Sequence, residues 1–376
     1  MLTKDQEYVL ALLRASLASK PIDVTPENEN SVSKMIRHHD ILLTVYPFMT
    51  SSLQEELRME MLANVQHATQ QNYEGGLIQQ ALTEAGLHCV PLKGLEQREL
   101  YPQGTLRQMA DIDILVRPYD YKTVSRVMKE QGYQAEGETF WLHDNFLKGN
   151  ITVEMHKRLT DDSDAIRDWE GRMLARTRKS EDGIFHMTIE DQLIFHIVHM
   201  YKDFLNGALG LRRIADTWLL SRQKLDLELV GQEMEKIGLS DFYERMVRLS
   251  ESCMGERSMD QDVEVMLDHA FKMGIYGTNR SYQAGRIVSM SKGRGLRRGK
   301  LRSFAAAIFL PVSRMKVQFP LVEKMPVLLP YFWVKRILLY LHSDVEDYKQ
   351  KLDYGKVTDE DYAEMKRFFK AGGLKL

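Results

Sequence analysis

Cysteine is nearly absent from this 376-residue chain: Cys89 and Cys253, far apart, are the two it has. Two lone thiols cannot staple a fold, so a disulfide framework is excluded and a reducing, cytoplasmic setting is expected. An excess of positive charge is missing as well. Fifty-one Lys and Arg face 53 Asp and Glu, a net charge of −2. No global field draws such a chain to a polyanion, and nucleic acid is not an expected partner. No run of about 18 uncharged apolar residues occurs, so no ordinary membrane span is expected. The opening stretch, MLTKDQEYVLALLRASL, has charges breaking its apolar positions and reads as an amphipathic helix rather than a leader. Apolar material itself is ample: 44% hydrophobic residues suffice for one large or two ordinary domains.

What the chain does have is concentrated between positions 91 and 116, PLKGLEQRELYPQGTLRQMADIDILV. The end of this stretch alternates acidic and apolar residues and then turns wholly apolar, the pattern of a strand with a charged tip and a buried body. Residues two apart share a strand face, so Asp111 and Asp113 stand side by side, roughly 7 Å apart. At an effective dielectric of about 20 their repulsion is about 2 kcal/mol, and a half-buried pair of this kind calls for a cation. A hard divalent ion with oxygen ligands fits best, Mg²⁺ above all, or Mn²⁺.

The neighbours of the pair strengthen the reading. His88 to Leu92 reads as a short strand that breaks at Lys93-Gly94, where glycine permits close backbone approach and lysine offers a cation for phosphate. Arg107 lies on the loop entering the acidic strand, a second candidate phosphate contact. Downstream, residues 150–156 read as a strand with Thr152, Glu154 and His156 on one face, which makes Glu154 a candidate third carboxylate.

These residues resemble the DNA polymerase beta-like nucleotidyltransferase superfamily, and within it the uncharacterised nucleotidyltransferases. The resemblance is carried by Leu92-Lys93-Gly94, Tyr101-Pro102, Arg107, the run from Asp111 to Val116, Gly132-Tyr133 and Val153-Glu154-Met155-His156. It extends over roughly 30–340, with a weaker echo at Asp191-Gln192-Leu193, His199 and 211–216. It implies transfer of a nucleoside monophosphate from an NTP donor to a small-molecule, glycan or protein acceptor. Asp111, Asp113 and Glu154 would be the catalytic, metal-holding acids, and Lys93, Gly94 and Arg107 the nucleotide and phosphate contacts. One position departs from the pattern: the superfamily's Gly-Ser is Gly94-Leu95 here, so the hydroxyl is missing and Lys93 inherits its task. A phosphotransferase for a glycan or lipid and a non-catalytic nucleotide- or partner-binding protein are the alternatives. A metal-dependent glycosyltransferase would need a larger doubly wound sheet before its Asp-x-Asp, which the helical residues 3–85 do not supply.

The expected fold is α+β, a small mixed-sheet core at 87–160 between a helical N-terminal lobe, 1–86, and a helical C-terminal region, 161–376. Helices are expected over 3–19, over 31–46 with Ser31 as cap, and over 51–85 as one helix or two. The core should run strand, helix, strand, helix, strand, strand. Its later strands are expected at Tyr133–Ala135, Phe140–Leu142, Asn145–Leu147 and Ile151–His156, with a hairpin turn at Gly149-Asn150. Helices then follow to Met273, one of them opened by Thr188-Ile-Glu-Asp191 in capping-box form.

Three other clusters have ordinary explanations. His186, His196 and His199 lack a completing ligand set and are expected to be packing histidines. Arg212, Arg213 and Asp216 should form an internal ion pair. Residues 292–302, with six Lys or Arg among glycines, should be a solvated loop, and 304–341 should wrap the core and bury its aromatics. Peripheral contact with an anionic membrane is the less favoured reading of that segment.

Overall fold

Ile112, Ile114 and Val116 alternate along one side of a strand, and their burial sets the layering of the first half of the chain. The computed structural model describes residues 2–117, 119–136, 142–159, 163–181, 183–319, 321–342 and 354–375. Strand β1 (His88–Pro91) pairs antiparallel with β2 (Ile112–Arg117). Strands β3 (Gln134–Glu136), β4 (His143–Lys148) and β5 (Ile151–His156) complete a mixed sheet of order β1-β2-β5-β4-β3, with β2 and β5 parallel. One face buries Ile112, Ile114, Val116, Val153, Met155 and Phe146 against Ile78 and Leu82 of the helix Ser51–Glu84 and against Val124, Val127 and Met128 of the helix Tyr121–Glu130. Each such side chain contributes about 1.5–3 kcal/mol on leaving water. The other face carries Asp113, Glu154, His156 and His143, so the helices hold the sheet from behind while its polar face stays available. The fold is α+β with helical flanks, as the sequence reading expects.

Several boundaries differ from that reading for local reasons. The helix expected at 31–46 runs Glu29–His39, capped by Asn28, and stops at Asp40 with φ 58°. A short helix, Leu42–Val45, follows. Gly75-Gly76 does not interrupt the helix Ser51–Glu84; instead Gly75 leaves room for Leu95, whose Cδ2 a Cβ there would meet at 3.0 Å. Strand β4 already includes His143 and Asp144, because Asp144 pairs across to Met155 and its buried carboxylate accepts from Lys157 at 2.8 Å. Of the strand expected at Phe140–Leu142, residues 140–141 lie outside the described residues. The turn at Gly149-Asn150 forms with Gly149 at φ 59°.

The chain divides into two compact units, one of Met1–His199 with Gly210–Asp260, the other of Met200–Leu209 with Gln261–Leu376. The sheet belongs to the first. The second is built of helices, among them Gln261–Met273, Asn279–Ser291, Leu296–Ile308, Leu329–His342 and Asp359–Ala371. Phe368 stacks between Phe204 and His269, with ring centroids at 3.9 and 3.7 Å. The helices Asn279–Ser291 and Leu296–Ile308 approach so closely that a Cβ on Gly299 would lie 2.5 Å from the Ile287 carbonyl oxygen. Beyond them, Met315, Phe319, Val322 and Phe332 form a small separate core. The expectation that 304–341 buries its aromatics therefore holds for Phe319 and Phe332 and fails for Phe304, Phe309 and Tyr331, which are exposed. For Phe304 the physical reason is that the inner face of Leu296–Ile308 is given to Gly299 and Ser303, leaving its larger side chains outward; Tyr331 lies on Leu329–His342, away from the buried Phe332. Among the described residues no helix is long and apolar enough to cross a membrane.

Gly299→Ala should destabilise the second unit by about 1–3 kcal/mol, since backbone must shift to admit the methyl group. A lowered midpoint in thermal or urea unfolding checks it; Gly76→Ala, at a helix-interior position with nothing within 4 Å of an added Cβ, is the contrasting control and should stabilise by up to about 1 kcal/mol.

Candidate functional site

The site grows from the pairing of β2 with β5. Their parallel register sets Asp113 beside Glu154 and Leu115 beside His156. Antiparallel pairing of β4 with β5 adds His143 opposite His156. Asp111, Asp113 and Glu154 then offer carboxylate oxygens that all lie within 4.8 Å of one another, and His143, Glu154 and His156 form a second such group. The three acids named from the sequence are brought together.

Asp113 is the fixed point, its side chain 2% exposed. Lys93 Nζ donates to its Oδ1 at 2.9 Å, and His156 Nε2 lies 2.7 Å from the same oxygen. Burial alone would make this carboxylate harder to ionise, but the Lys93 ammonium and His156 outweigh it and hold its pKa well below the ordinary value. Asp111 has no such partners. Burial, reinforced by the neighbouring Asp113 charge, pushes its pKa up to about 6. Two acids two residues apart, one before β2 and one on it, therefore differ in proton affinity, because Asp113 is the one that holds the cations.

Glu154 sits between the two histidines, 3.3 Å from His156 Nε2 and 3.6 Å from His143 Nε2. Burial raises its pKa, and the hydrogen bond from His156 leads the opposing effects that bring it below the usual value. His156 responds in kind: burial lowers its affinity for a proton, while Asp113 and Glu154 together raise it further. The Lys93 ammonium is likewise destabilised by burial and more than restored by Asp113 and then Asp111.

Lys93 reaches Asp113 because its backbone is pinned on both sides. The Leu92 amide donates to the Asp113 carbonyl at 3.0 Å, and the Glu96 and Gln97 amides donate to the Lys93 carbonyl at 3.1 and 2.7 Å. Between those anchors Lys93 takes φ 42° and ψ −109°, a strained conformation for a residue with a Cβ. Such strain costs about 1–3 kcal/mol and persists where the surroundings over-determine it. Gly94 follows, buried, and its missing side chain makes way for Met109, whose Sδ a Cβ would meet at 2.3 Å. Leu95, in the place of the expected hydroxyl, is buried toward Gly75.

The structure does not bring Arg107 to the acids. Its guanidinium grips Asp216 with both Nε and Nη2, at 2.8 Å each, and donates to Gln97 at 2.9 Å. Tyr101 adds a donor to the same carboxylate at 2.9 Å. Burial would raise the Asp216 pKa, yet Arg107 overrides it and brings it to about 2. The ion pair expected among Arg212, Arg213 and Asp216 is thus rearranged: Arg212 goes to Asp40, Arg213 lies 3.1 Å from His199 Nδ1, and Asp216 belongs to Arg107. The histidines are packing residues in part. His196 is buried on Thr217 and Gln97 with its pKa lowered to about 4 by burial, while His186 pairs with Glu96 at 2.7 Å. Sequence reasoning missed His143 and the Lys93–Asp113 contact. The period-two pattern His143, Asn145, Leu147 carried the first; nothing local carried the second, which is made across 20 residues of chain.

A mixed sheet with one acid at the entrance of a strand, a second on that strand and a third on its parallel neighbour is the core expected of a nucleotidyltransferase. The model of the family described as uncharacterised nucleotidyltransferase matches residues 6–255, and the chain belongs to that family. The match starts earlier and ends sooner than the 30–340 anticipated from the motifs. No curated protein and no solved structure matches the chain. Its reaction class is nucleotidyl transfer.

The raised pKa of Asp111 gives a stability prediction with a definite sign. The acid is protonated below the unfolded value of 3.8 in both states, and ionised in both above about 6. The folded state then carries the charge at a disadvantage, so wild-type stability falls relative to a neutral isostere as pH rises through that window. Asp111→Asn should therefore stabilise the metal-free protein by about 1–3 kcal/mol near neutral pH, a gain that vanishes toward pH 4. Urea unfolding of both proteins across that range is the test.

Proposed function

We propose that the protein moves a nucleoside monophosphate from an NTP to an acceptor hydroxyl or phosphate, using a divalent ion, Mg²⁺ or Mn²⁺, held by Asp111, Asp113 and Glu154. The observation that carries this reading is the convergence of three carboxylates within 4.8 Å, Asp113 and Glu154 on the paired strands β2 and β5 and Asp111 immediately before β2. All three donors are hard oxygens, the ligand chemistry such ions take. When bound, the ion would neutralise donor phosphates and stabilise the in-line displacement.

The residues of the chain do the rest. Asp113, held ionised by Lys93 and His156, is ready as an anionic ligand at neutral pH. Asp111, with its elevated pKa, gains most from a positive partner. Lys93 donates to Asp113 in this structure, and an ammonium has three donors, so the same group supports Asp113 and meets developing charge on the leaving pyrophosphate. Glu154 is more exposed than Asp113, at 21% against 2%, and faces the acceptor hydroxyl in this reading, as its general base or as a ligand that orients it. His156 is a positioning residue for Asp113 and Glu154. Gly94 and Arg107 serve by packing and by anchoring the loop before β2, not by binding phosphate. A second reading, a nucleotide binder without turnover, draws support from Leu95 in place of the expected hydroxyl.

Thermal-shift titration with each NTP tests the first reading. The melting temperature should rise with NTP only when Mg²⁺ or Mn²⁺ is present, and Asp111→Asn and Asp113→Asn should each lose that response. Glu154→Gln should weaken it less than either aspartate change does, while pyrophosphate release falls about 100-fold or more. Metal-dependent binding left intact in both aspartate variants contradicts the site, and binding with no pyrophosphate release from any NTP favours the second reading.

A further inference from the structure

Positive charge is scarce as an excess over the whole chain and abundant in one part of it. Residues 292–338 contain eleven Lys or Arg and one acid, Glu323, a net of +10 in a chain whose total is −2. The same stretch holds more than half of the large apolar side chains that the described residues expose, Leu301, Phe304, Phe309, Tyr331, Val334 and Leu338 among them. Leu301 is 69% exposed and Tyr331 61%. Isolated surface leucines are ordinary; a concentration of this kind marks an interaction surface.

The pattern is helical, not random. On Leu296–Ile308 the buried positions are Gly299 and Ser303. The opposite side, at helical spacing, presents Arg297, Leu301, Phe304 and Ile308. On Leu329–His342 the buried Phe332 faces the small core, and Tyr331, Val334 and Leu338 turn the other way. The end of the first helix meets the middle of the second: Trp333 Nε1 donates to the Leu310 carbonyl at 2.8 Å, Arg336 donates to the Ala307 carbonyl at 2.8 Å, and the Phe309 and Trp333 rings lie 5.0 Å apart. Their outward stripes thus belong to one continuous region, lying wholly within the second unit. Exposed cations flank it, Arg297 and Arg298 on the first helix and Lys335 on the second.

We infer that this region is a docking surface for an anionic lipid bilayer, on which the two helices lie in the interface plane. A nucleic acid would use the cations and stack bases on the aromatics, but it gains nothing from outward Leu301, Val334 and Leu338. An apolar protein groove would use those but not a net +10. Lipid headgroups over acyl chains use both, the cations at the phosphates and the apolar stripe just beneath. At 14 residues the helix Leu329–His342 is too short to span, which fits a protein that rests on the membrane. The inference stands apart from the transfer chemistry proposed for the sheet.

Co-sedimentation of the full chain with vesicles tests it, using phosphatidylcholine alone or mixed with phosphatidylglycerol. The protein should pellet with the mixed vesicles, not with phosphatidylcholine alone, and less at high salt, where screening shortens to about 3 Å. Arg297→Gln with Arg298→Gln should weaken partitioning roughly 30-fold, the equivalent of about 1 kcal/mol per cation. Leu301→Ser with Phe304→Ser should weaken it as well while lowering the melting temperature by only a few degrees, since the two side chains are 69% and 49% exposed. Absence of pelleting with anionic vesicles overturns the inference. So does pelleting that the apolar double variant leaves intact, which is adsorption by charge alone. Loss of a concentration-dependent dimer in the apolar variant, with no vesicle binding by wild type, would assign the surface to a second copy of the chain instead.

Discussion

A buried carboxylate between two cations is the contact on which the rest of the site depends. Asp113 is placed by a strand that the hydrophobic core holds rigid, and Lys93 and His156 keep it charged where water cannot. Removing either partner from a buried ion pair exposes the other to an uncompensated desolvation penalty of several kcal/mol, so the three side chains fix one another. That mutual dependence explains the strained backbone of Lys93, which no glycine relieves. It also explains why neighbouring acids behave oppositely: Asp113 takes the cations, and Asp111 is left with the repulsion.

A second buried pair works at a distance from the acids. Arg107 and Asp216 tie the loop before β2 to the helix Leu211–Ser221, with Tyr101 and Gln97 completing the hydrogen bonds. Both side chains are almost wholly out of water, at 3% and 0% exposure, so a solvated surface role for Arg107 is ruled out. The family match ends at residue 255, just short of residue 260, where the first unit closes. The sheet and both buried pairs therefore lie inside the matched region, and the basic apolar stretch of the second unit lies outside it.

How much of this was legible in the sequence follows from how local each signal is. The strand at Asp111 announced itself by alternation followed by an apolar run, and Glu154 by the same alternation on its own strand. Both readings rest on neighbours in sequence; the structure puts Asp113 and Glu154 on their strands and starts β2 at Ile112, one residue after Asp111. Arg107 was read from its position beside the acidic strand, but its partner Asp216 lies on a helix more than a hundred residues away. No local pattern distinguishes a phosphate-facing arginine from a buried one. Gly94 reads as a place where backbone can approach a ligand closely, and the structure adds a reason no local pattern shows, the packing of Met109 against it. The outward aromatics at 304–341 misled for a related reason. Hydrophobic periodicity says that a helix has an apolar face, not which way the face points, and here Gly299 and Ser303 claim the inside.

The account turns on one place in the molecule, the space bounded by Asp111, Asp113 and Glu154 with Lys93 beside it. Anomalous diffraction from crystals grown with Mn²⁺ and a non-hydrolysable NTP examines that place directly. The account predicts an ion in contact with oxygens of those acids, with the Lys93 ammonium within hydrogen-bonding reach of the phosphates. An ion held elsewhere, or a nucleotide bound away from these strands with the acids bare, would contradict it.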